Sequence, residues 1–150
     1  MLRNSLIGIS ALFATTFGAI ADDRTPVEIW KDAPMTVFNA SDISLSDFSW
    51  LARPIIIFAN TKADPRVMEQ IAFLNAVPEE VITRDIVIIV DTDATNLTEL
   101  RTEFRPRGFQ FVLIGKDGEV KLRKPRPWDI RELSRVIDKM PMRKQEMRAE

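Results

Sequence analysis

The sequence predicts an α/β fold, in which a central mixed sheet is covered by helices on both faces. Two continuous apolar runs, Pro54–Ala59 and Ile86–Val90, have the composition of strands that are buried on both sides. Asp117-Gly118 separates two further strand-like runs, Phe109–Ile114 and Glu119–Arg123, and Asp-Gly at such a position is a strong hairpin signal. Parallel strands joined by helices, then an antiparallel hairpin and a closing helix, build one mixed sheet.

The composition limits the chemistry. The chain has 150 residues with a net charge of −1, 45% hydrophobic and 29% charged residues, which is typical of a soluble globular domain. It contains no Cys, His or Tyr. Disulfides, thiol chemistry, Ser-His-Asp triads and nearly all zinc sites are therefore excluded. No cofactor and no catalytic residue is predicted, and enzymatic activity of another kind is left open.

The first 21 residues have the features of a signal peptide. Arg3 is followed by Asn4–Ala21, which carries no charge and ends in the small residues Ala19 and Ala21. A membrane anchor is disfavoured because polar residues dilute the run and it is shorter than the ~20 apolar residues a span needs. We expect cleavage after Ala21 and a periplasmic or secreted mature chain, Asp22–Glu150, that does not span the membrane.

The elements of the first half follow from local signals. Met35–Phe38 is a weaker strand candidate, and Ser44–Leu51 fits a short helix that Ser44 could cap. Asp64-Pro65 has the pattern of a helix N-cap followed by a first-turn proline. It starts the predicted helix Arg66–Val77, which Pro78 ends.

Local signals also predict the elements of the second half. Asn96–Glu99 fits a capping box that begins a short helix through Phe104. The second hairpin strand alternates, which predicts Val120 and Leu122 inward and Lys121 and Arg123 outward. A helix opens at Trp128-Asp129 and ends before Pro141. We expect one domain with its core over residues 35–140 and a charged, frayed tail over 141–150.

This order of elements resembles thioredoxin. Within it, Arg107–Val120 is similar to the thioredoxin segment that runs from an Arg-Gly pair through an apolar strand to a Lys-Asn-Gly-Glu hairpin. The resemblance covers Met35–Lys139 and implies a thioredoxin-like fold. Where thioredoxin has a cis-proline, this chain has Gln110. We expect a trans bond there, since a non-proline cis bond costs about 2.5–4 kcal/mol.

The turn that carries Cys-x-x-Cys in thioredoxin is Asn60–Pro65 here. Laid on thioredoxin, the two cysteines fall near Lys62 and Pro65. Laid on the Thr-x-x-Cys of peroxiredoxins, Thr61 matches and Asp64 replaces the peroxidatic cysteine. The resemblance thus implies a redox scaffold without its reactive sulfur, and neither disulfide exchange nor peroxide reduction by a thiol can proceed.

A second resemblance is closer. It is to an uncharacterised family of exported bacterial domains, related to thioredoxin-like modules of vertebrate extracellular sushi-repeat proteins. This resemblance implies a thioredoxin-like fold outside the cytoplasm and no established activity. The segments that carry it are Asp64–Arg66, Asp91–Asp93, Arg105–Phe109, Leu113–Gly118 and Lys121–Pro125.

The preferred hypothesis is a redox-inactive module that binds a protein or peptide partner in the cell envelope. The candidate binding residues surround the former redox turn and the former cis-proline: Asn60, Thr61, Lys62, Asp64, Arg107, Phe109 and Gln110. Simpler interpretations compete with it. Asp64 fits a helix cap, and Phe109, Phe111 and Trp128 fit core packing better than an exposed groove. We also expect Trp30 and Trp50 to pack.

An alternative function is a metal-dependent hydrolase or an anion-binding enzyme that uses Asp91 and Asp93. Both residues follow a predicted central strand, and open α/β sheets bind ligands at that edge. Two carboxylates there could hold Mg²⁺ or Ca²⁺. The competing interpretation is that both aspartates only cap helices and shape turns.

The charge is distributed unevenly. Residues 22–100 contain 6 basic and 14 acidic residues, a net of −8, whereas residues 101–150 contain 14 basic and 8 acidic, a net of +6. The basic excess indicates either a surface for an acidic partner or an edge strand protected by cations. Nucleic acid is not an expected partner. The residues concerned are Arg105, Arg107, Lys121, Arg123, Lys124 and Arg126.

Overall fold

The computed structural model describes residues 23–150, so the predicted signal peptide lies outside the described residues. The strands are β1 (Val37–Asn39), β2 (Arg53–Phe58), β3 (Ile86–Asp91), β4 (Gln110–Ile114) and β5 (Val120–Lys124). The α-helices are α1 (Pro26–Asp32), α2 (Pro65–Asn75), α3 (Pro78–Ile82), α4 (Glu99–Phe104), α5 (Ile130–Asp138) and α6 (Pro141–Ala149). Over these residues no helix has the length and apolar character to cross a bilayer.

The five strands form one mixed sheet in the order β1-β3-β2-β4-β5. β3 pairs in parallel with β1 and β2, whereas β4 runs antiparallel to β2 and to β5. The predicted mixed sheet with its terminal hairpin is therefore confirmed.

The continuous apolar runs fill two separate cores. Ile55, Ile57 and Ile88 pack on one face, together with side chains from α2, α3 and α5. Ile56 and Ile89 pack on the other face, together with side chains from α1 and α4. All five isoleucines are fully buried, because successive residues of a strand point to opposite faces and both faces are covered.

The first helix was missed by the sequence analysis. Thr25 and Glu28 form a reciprocal capping box, and Pro26 occupies the first turn. The helix serves as an anchor, since buried Trp30 donates its indole N–H to the carbonyl of Ile86 at 3.0 Å. The predicted packing role of Trp30 is confirmed.

One predicted helix start was placed two residues early, and one predicted cap makes no capping bond although its helix starts where expected. α4 is capped by Thr98, whose hydroxyl accepts from the Arg101 amide at 3.0 Å, while Asn96 belongs to the preceding turn. Ser44 precedes a 3-10 turn over Leu45–Phe48 and bonds to the Ser46 hydroxyl instead of capping an amide. In both cases several hydroxyl or amide side chains compete locally, and packing selects among them.

Two apolar residues are exposed against expectation. The pairing of β4 with β5 shifts register beside Ile114, so that the bulge breaks the alternation and Val120 is exposed while Leu122 packs on the core. Lys121 is half-buried, not fully outward. Trp50 lies in the tight turn before β2, with φ of 64°, and is also exposed. Its predicted packing role is wrong.

The predicted frayed tail is helix α6, and charge holds it in place. Glu146 accepts from both terminal nitrogens of Arg53, at 3.2 and 3.0 Å, and lies 2.7 Å from Lys116 Nζ. Arg53 is 1% exposed at the start of β2. A buried guanidinium needs hydrogen-bond acceptors. Helix α6 supplies two of them to Arg53, the carboxylate oxygens of Glu146.

We predict that Glu146→Gln lowers the free energy of unfolding near neutral pH by roughly 1.5–3 kcal/mol, the range for hydrogen bonds to charged groups. Burial by itself would raise the pKa of Glu146, but the hydrogen bonds and charges of Arg53 and Lys116 outweigh it and hold that pKa below its ordinary value of 4.5. A carboxylate with a lowered pKa stabilises the fold fully above its unfolded pKa and progressively less as the pH falls through its folded pKa.

Urea unfolding followed by circular dichroism at several pH values checks this. The difference between wild type and Glu146→Gln should shrink steadily below pH 4.5. The control is Glu69→Gln, which changes an exposed carboxylate of α2 and should have little effect at any pH. A difference that is independent of pH would contradict the prediction.

Candidate functional site

The register of the central strands brings three chain segments to one edge of the sheet. Phe58, the last residue of β2, lies opposite Asp91 of β3 on one side and Gln110 of β4 on the other. The turn over residues 60–65, the loop after β3 and the start of β4 therefore begin at the same edge of the sheet. The described residues contain no cis peptide bond, so the predicted trans bond at Gln110 is confirmed.

Asp64 is used as a helix cap. One carboxylate oxygen accepts from the backbone amide and the Nε of Arg66, at 3.0 and 2.9 Å, and the other accepts from Nη2 at 2.6 Å. The hydrogen bonds from the Arg66 side chain, above all, lower the pKa of Asp64. The Arg66 guanidinium also lies 5.2 Å from the centre of the Phe109 ring. Asp64 thus joins α2 to the segment before β4.

The rest of the turn is divided between local structure and a second cleft. Thr61 accepts from the Ala63 amide at 3.2 Å, and the Asn60 carbonyl accepts from the Ala94 amide at 3.4 Å. Lys62 lines a polar cleft of about 250 Å³ together with side chains of the loops after β1 and β3. Lys62 is exposed, and it lines a different cleft from the residues before β4.

Asp91 belongs to a buried ion pair. Its Oδ1 accepts from Nε of Arg101 and its Oδ2 from the Thr98 hydroxyl, each at 2.6 Å. Nη2 of Arg101 donates to the carbonyls of Ala59 and Asp91, at 2.5 and 3.0 Å. The two side chains are 3% and 6% exposed. Both oxygens of Asp91 are thereby occupied by donors from the chain.

Asp93 shapes the following turn. Its Oδ1 accepts from the hydroxyl and the amide of Thr95, at 2.6 and 2.9 Å. These two bonds, the hydroxyl first, lower the pKa of Asp93. Over residues 23–150 no group of three or more His, Cys, Asp or Glu side chains is arranged to hold a metal ion. The capping and turn interpretation of both aspartates agrees with these contacts.

Arg101 was not identified from the sequence. The available signal was its position on α4, where it shares the buried face with Leu100 and Phe104. A cation on the apolar side of a helix indicates a buried partner. That partner could not be named without the fold, since Asp91 is ten residues away on a different element.

A second cleft, of about 270 Å³, lies beside β4 and β5. We call it the basic cleft. Predicted site residues Arg107, Phe109 and Gln110 line it, whereas Lys62 does not. Two other cations predicted near the hairpin, Lys121 and Arg126, lie outside the cleft. Lys121 pairs with Asp117 at 2.8 Å. Its lining residues are Arg105, Arg107, Phe109, Gln110, Arg123, Lys124 and Pro125.

Two bends of the backbone form one wall of the basic cleft. Arg105 ends α4 with φ of 46°, and Gly108 has φ of 67°. Glycine adopts the left-handed conformation at low cost, whereas arginine adopts it at some strain. Together the bends place Arg105 and Arg107 at the cleft just before the chain enters β4.

The aromatic residues of this region belong to the core. Phe109 is 2% exposed and Phe111 fully buried, which confirms core packing over an exposed aromatic groove. Trp128 is half-buried and packs against the same core. Phe109 therefore contributes the floor of the basic cleft, and its charged rim is what reaches solvent.

The sheet order, the flanking helices and the position of this edge define a thioredoxin-like domain, and solved structures agree. A reduced 2-Cys peroxiredoxin of Plasmodium vivax matches with a TM-score of 0.52 and 13% identity, over 70% of this chain and 85% of that chain. Reduced desulfothioredoxin from Desulfovibrio vulgaris Hildenborough matches with a TM-score of 0.51 and 18% identity, over 69% of this chain and 96% of that chain. At these identities the likeness concerns the fold alone.

The chain also matches the model of one protein family. The chain belongs to the family described as a domain of unknown function, DUF4174, which matches residues 44–146. The match contains the whole edge described above, from the turn after β2 to the basic cleft. A comparison with curated proteins found no significant match.

We predict strong energetic coupling between Arg101 and Asp91. Arg101→Met or Asp91→Asn alone should lower the free energy of unfolding by about 3–5 kcal/mol, because each leaves an uncompensated polar partner buried. The double variant should lose clearly less than the sum of the single losses. Guanidinium unfolding of the four proteins measures the coupling.

The exposed pair Arg135–Glu132, 2.8 Å apart on α5, provides the matched control. The corresponding cycle there should give a coupling of no more than about 1 kcal/mol. Equal coupling in the two cycles would show that burial does not set the strength of the Arg101–Asp91 pair.

Proposed function

We propose that this protein is an exported, redox-inactive accessory module that binds a protein or peptide partner through the basic cleft. The observation that carries this proposal is the cleft itself, which lies at the sheet edge where Gln110 pairs with Phe58, the last residue of β2. The chain has no sulfur nucleophile for thiol chemistry at that edge, since its sequence contains no cysteine. Binding is the function that the remaining side chains support.

The geometry narrows the predicted binding surface. Asp64 and Thr61 are occupied by bonds within the turn, and Phe109 is buried. Arg107 and Gln110 remain at the basic cleft, while Lys62 lies at the neighbouring polar cleft. We therefore assign partner contact to the basic cleft. A substitution of Lys62 tests the polar cleft separately. No contact of Asp91 or Asp93 favours the metal-dependent alternative.

Export is supported by the uncharged run that ends in Ala19 and Ala21. We predict that the protein accumulates in the envelope or the medium with Asp22 as its first residue. Cell fractionation with N-terminal sequencing measures this. Ala21→Arg should block processing, because the cleavage site needs a small residue, whereas Ala14→Val should be processed normally. An uncleaved chain in the cytoplasm would refute export.

Partner binding can be tested by placing a photo-crosslinking residue at Pro125, which lines the basic cleft without contributing charge. In cells that make the protein naturally, we expect a discrete crosslinked product from Pro125 and none from the same residue at Arg131 of α5. Arg107→Glu should abolish the product, whereas Lys139→Glu should leave it unchanged.

Lys62→Glu decides between the two clefts. Loss of the product on Lys62→Glu with retention on Arg107→Glu would transfer the binding site to the polar cleft. Equal products from Pro125 and Arg131 would indicate collisions without a specific surface and would refute the proposal.

A further inference from the structure

We propose that the basic cleft recognises an acidic, extended segment of its partner protein, with the partner's carboxylates bound by Arg105, Arg107, Arg123 and Lys124. This inference rests on the proposed binding function and specifies the chemistry of the partner. Four features of the cleft support it. Its cations lack acidic partners, aromatic rings hold two of these cations in place, a buried acceptor lacks a donor, and the cleft is small.

The first observation is that the cleft cations lack acidic partners. Within residues 23–150, none of the four has a carboxylate oxygen within 4.0 Å. At the other end of β2 the reverse holds, since Arg53 and Lys116 share Glu146, and Arg84 pairs with Asp138 at 2.8 Å. The fold thus pairs its buried cations where α6 docks and leaves the cations of the cleft without a carboxylate partner.

The second observation is that aromatic rings hold two of these cations in place. Lys124 Nζ lies 4.2 Å from the centre of the Trp128 ring. The Arg123 guanidinium lies 5.1 Å from the Phe104 ring, and its Nη1 donates to the Phe104 carbonyl at 3.3 Å. A ring orients a cation without cancelling its charge. The side chains are therefore positioned before an anion arrives, which lowers the entropic cost of binding it.

The third observation concerns Gln110, and it favours a peptide over other anions as the ligand of the cleft. Oε1 of Gln110 is buried and has no hydrogen-bond donor among the described residues, and Gln110 lines the same cleft. A buried acceptor without a donor is costly. In the free domain this oxygen is closed to solvent, so the half-buried Gln110 side chain must turn into the cleft before Oε1 can accept from a bound ligand. A peptide supplies backbone N–H donors as well as carboxylates, whereas phosphate and sulfate groups supply acceptors at neutral pH. The cleft therefore fits an acidic peptide better than a sulfated or phosphorylated polymer.

The size of the site limits how much of the partner it contacts. At about 270 Å³ the cleft lies below the ~300–1,000 Å³ of typical small-molecule pockets, so it holds a few side chains of a longer chain. The acidic excess of residues 22–100, a net of −8, opposes the approach of a long polyanion across the rest of the domain. A short acidic segment of a protein satisfies both conditions.

Fluorescence anisotropy with three dye-labelled probes tests the inference on the purified mature protein. The probes are equally long peptides of alternating Glu and Ser, Gln and Ser, and Lys and Ser. We expect the Glu probe to bind at least about tenfold more tightly than the Gln probe, with affinity falling as salt is added, since exposed ion pairs are screened. Equal binding of the Glu and Gln probes, or no binding of the Glu probe, would overturn the inference.

Variants then locate the bound probe. Replacing Arg105, Arg107, Arg123 and Lys124 together by Gln should weaken the Glu probe about ten- to a hundredfold, as four modest ion pairs are lost. A matched control removes the same charge elsewhere, from exposed cations that have no acidic partner within residues 23–150. Its expected effect is less than about threefold, and an equal loss in both variants would show attraction by net charge alone. The control positions are Arg131, Lys139, Lys144 and Arg148.

Gln110→Leu tests the third observation. It should weaken the Glu probe several-fold without changing the salt dependence, and it should not lower the melting temperature, because it removes an unpaired buried oxygen. Heparin and double-stranded DNA are competitors in the same assay. If either binds more tightly than the Glu probe with the same dependence on the four cations, the acidic-peptide assignment is wrong.

The inference and the proposed function fail separately. A crosslinked product that requires Arg107, together with no preference for the Glu probe, would retain the binding function and refute acidic recognition. Absence of any specific crosslinked product would refute the binding function itself, whatever the probes show.

Discussion

One buried arginine fixes the sheet edge at which β2 and β3 end. Arg101 is bound by the Asp91 carboxylate and by the carbonyls of Ala59 and Asp91, and its guanidinium lies 5.8 Å from the Phe58 ring. Because a buried guanidinium must have its donors satisfied, the carboxyl ends of β2 and β3 are tied to α4 and to one another. The loops that leave these strands start from fixed points without a disulfide, since the chain has no cysteine.

Charge is used differently at the two ends of the sheet. Where β2 begins, Arg53, Lys116 and Glu146 join the sheet to α6 in a largely buried network. Where β2 ends, the four cations of the basic cleft have no carboxylate partner within the described part of the chain. The first arrangement stabilises the fold, and the second keeps charge available for an interaction. The positive excess of the second half of the sequence is thus divided between a paired network and a cleft whose cations lack carboxylate partners.

The thioredoxin-like fold does not by itself indicate an activity here, because one fold supports unrelated functions. Thr61 and Asp64, in the turn that follows β2, have structural roles. Asp64 caps α2 and binds Arg66, whose guanidinium covers the ring of Phe109. The turn is therefore connected to the basic cleft only through the contact of Arg66 with Phe109, and the charged side chains that line the cleft come from the segments beside β4 and β5.

The sequence alone determined the mixed sheet, the Asp64 cap and the hairpin, because these features follow from short-range patterns: apolar runs, a capping residue before a proline, and Asp-Gly between strands. It also determined the loss of thiol chemistry, since composition decides that. Only the tertiary structure paired Arg101 with Asp91, docked α6 through Glu146 and separated Lys62 from Arg107 into two clefts. Such contacts join residues that lie on different elements, and their partners are chosen by the packing of the whole sheet, which no local pattern encodes.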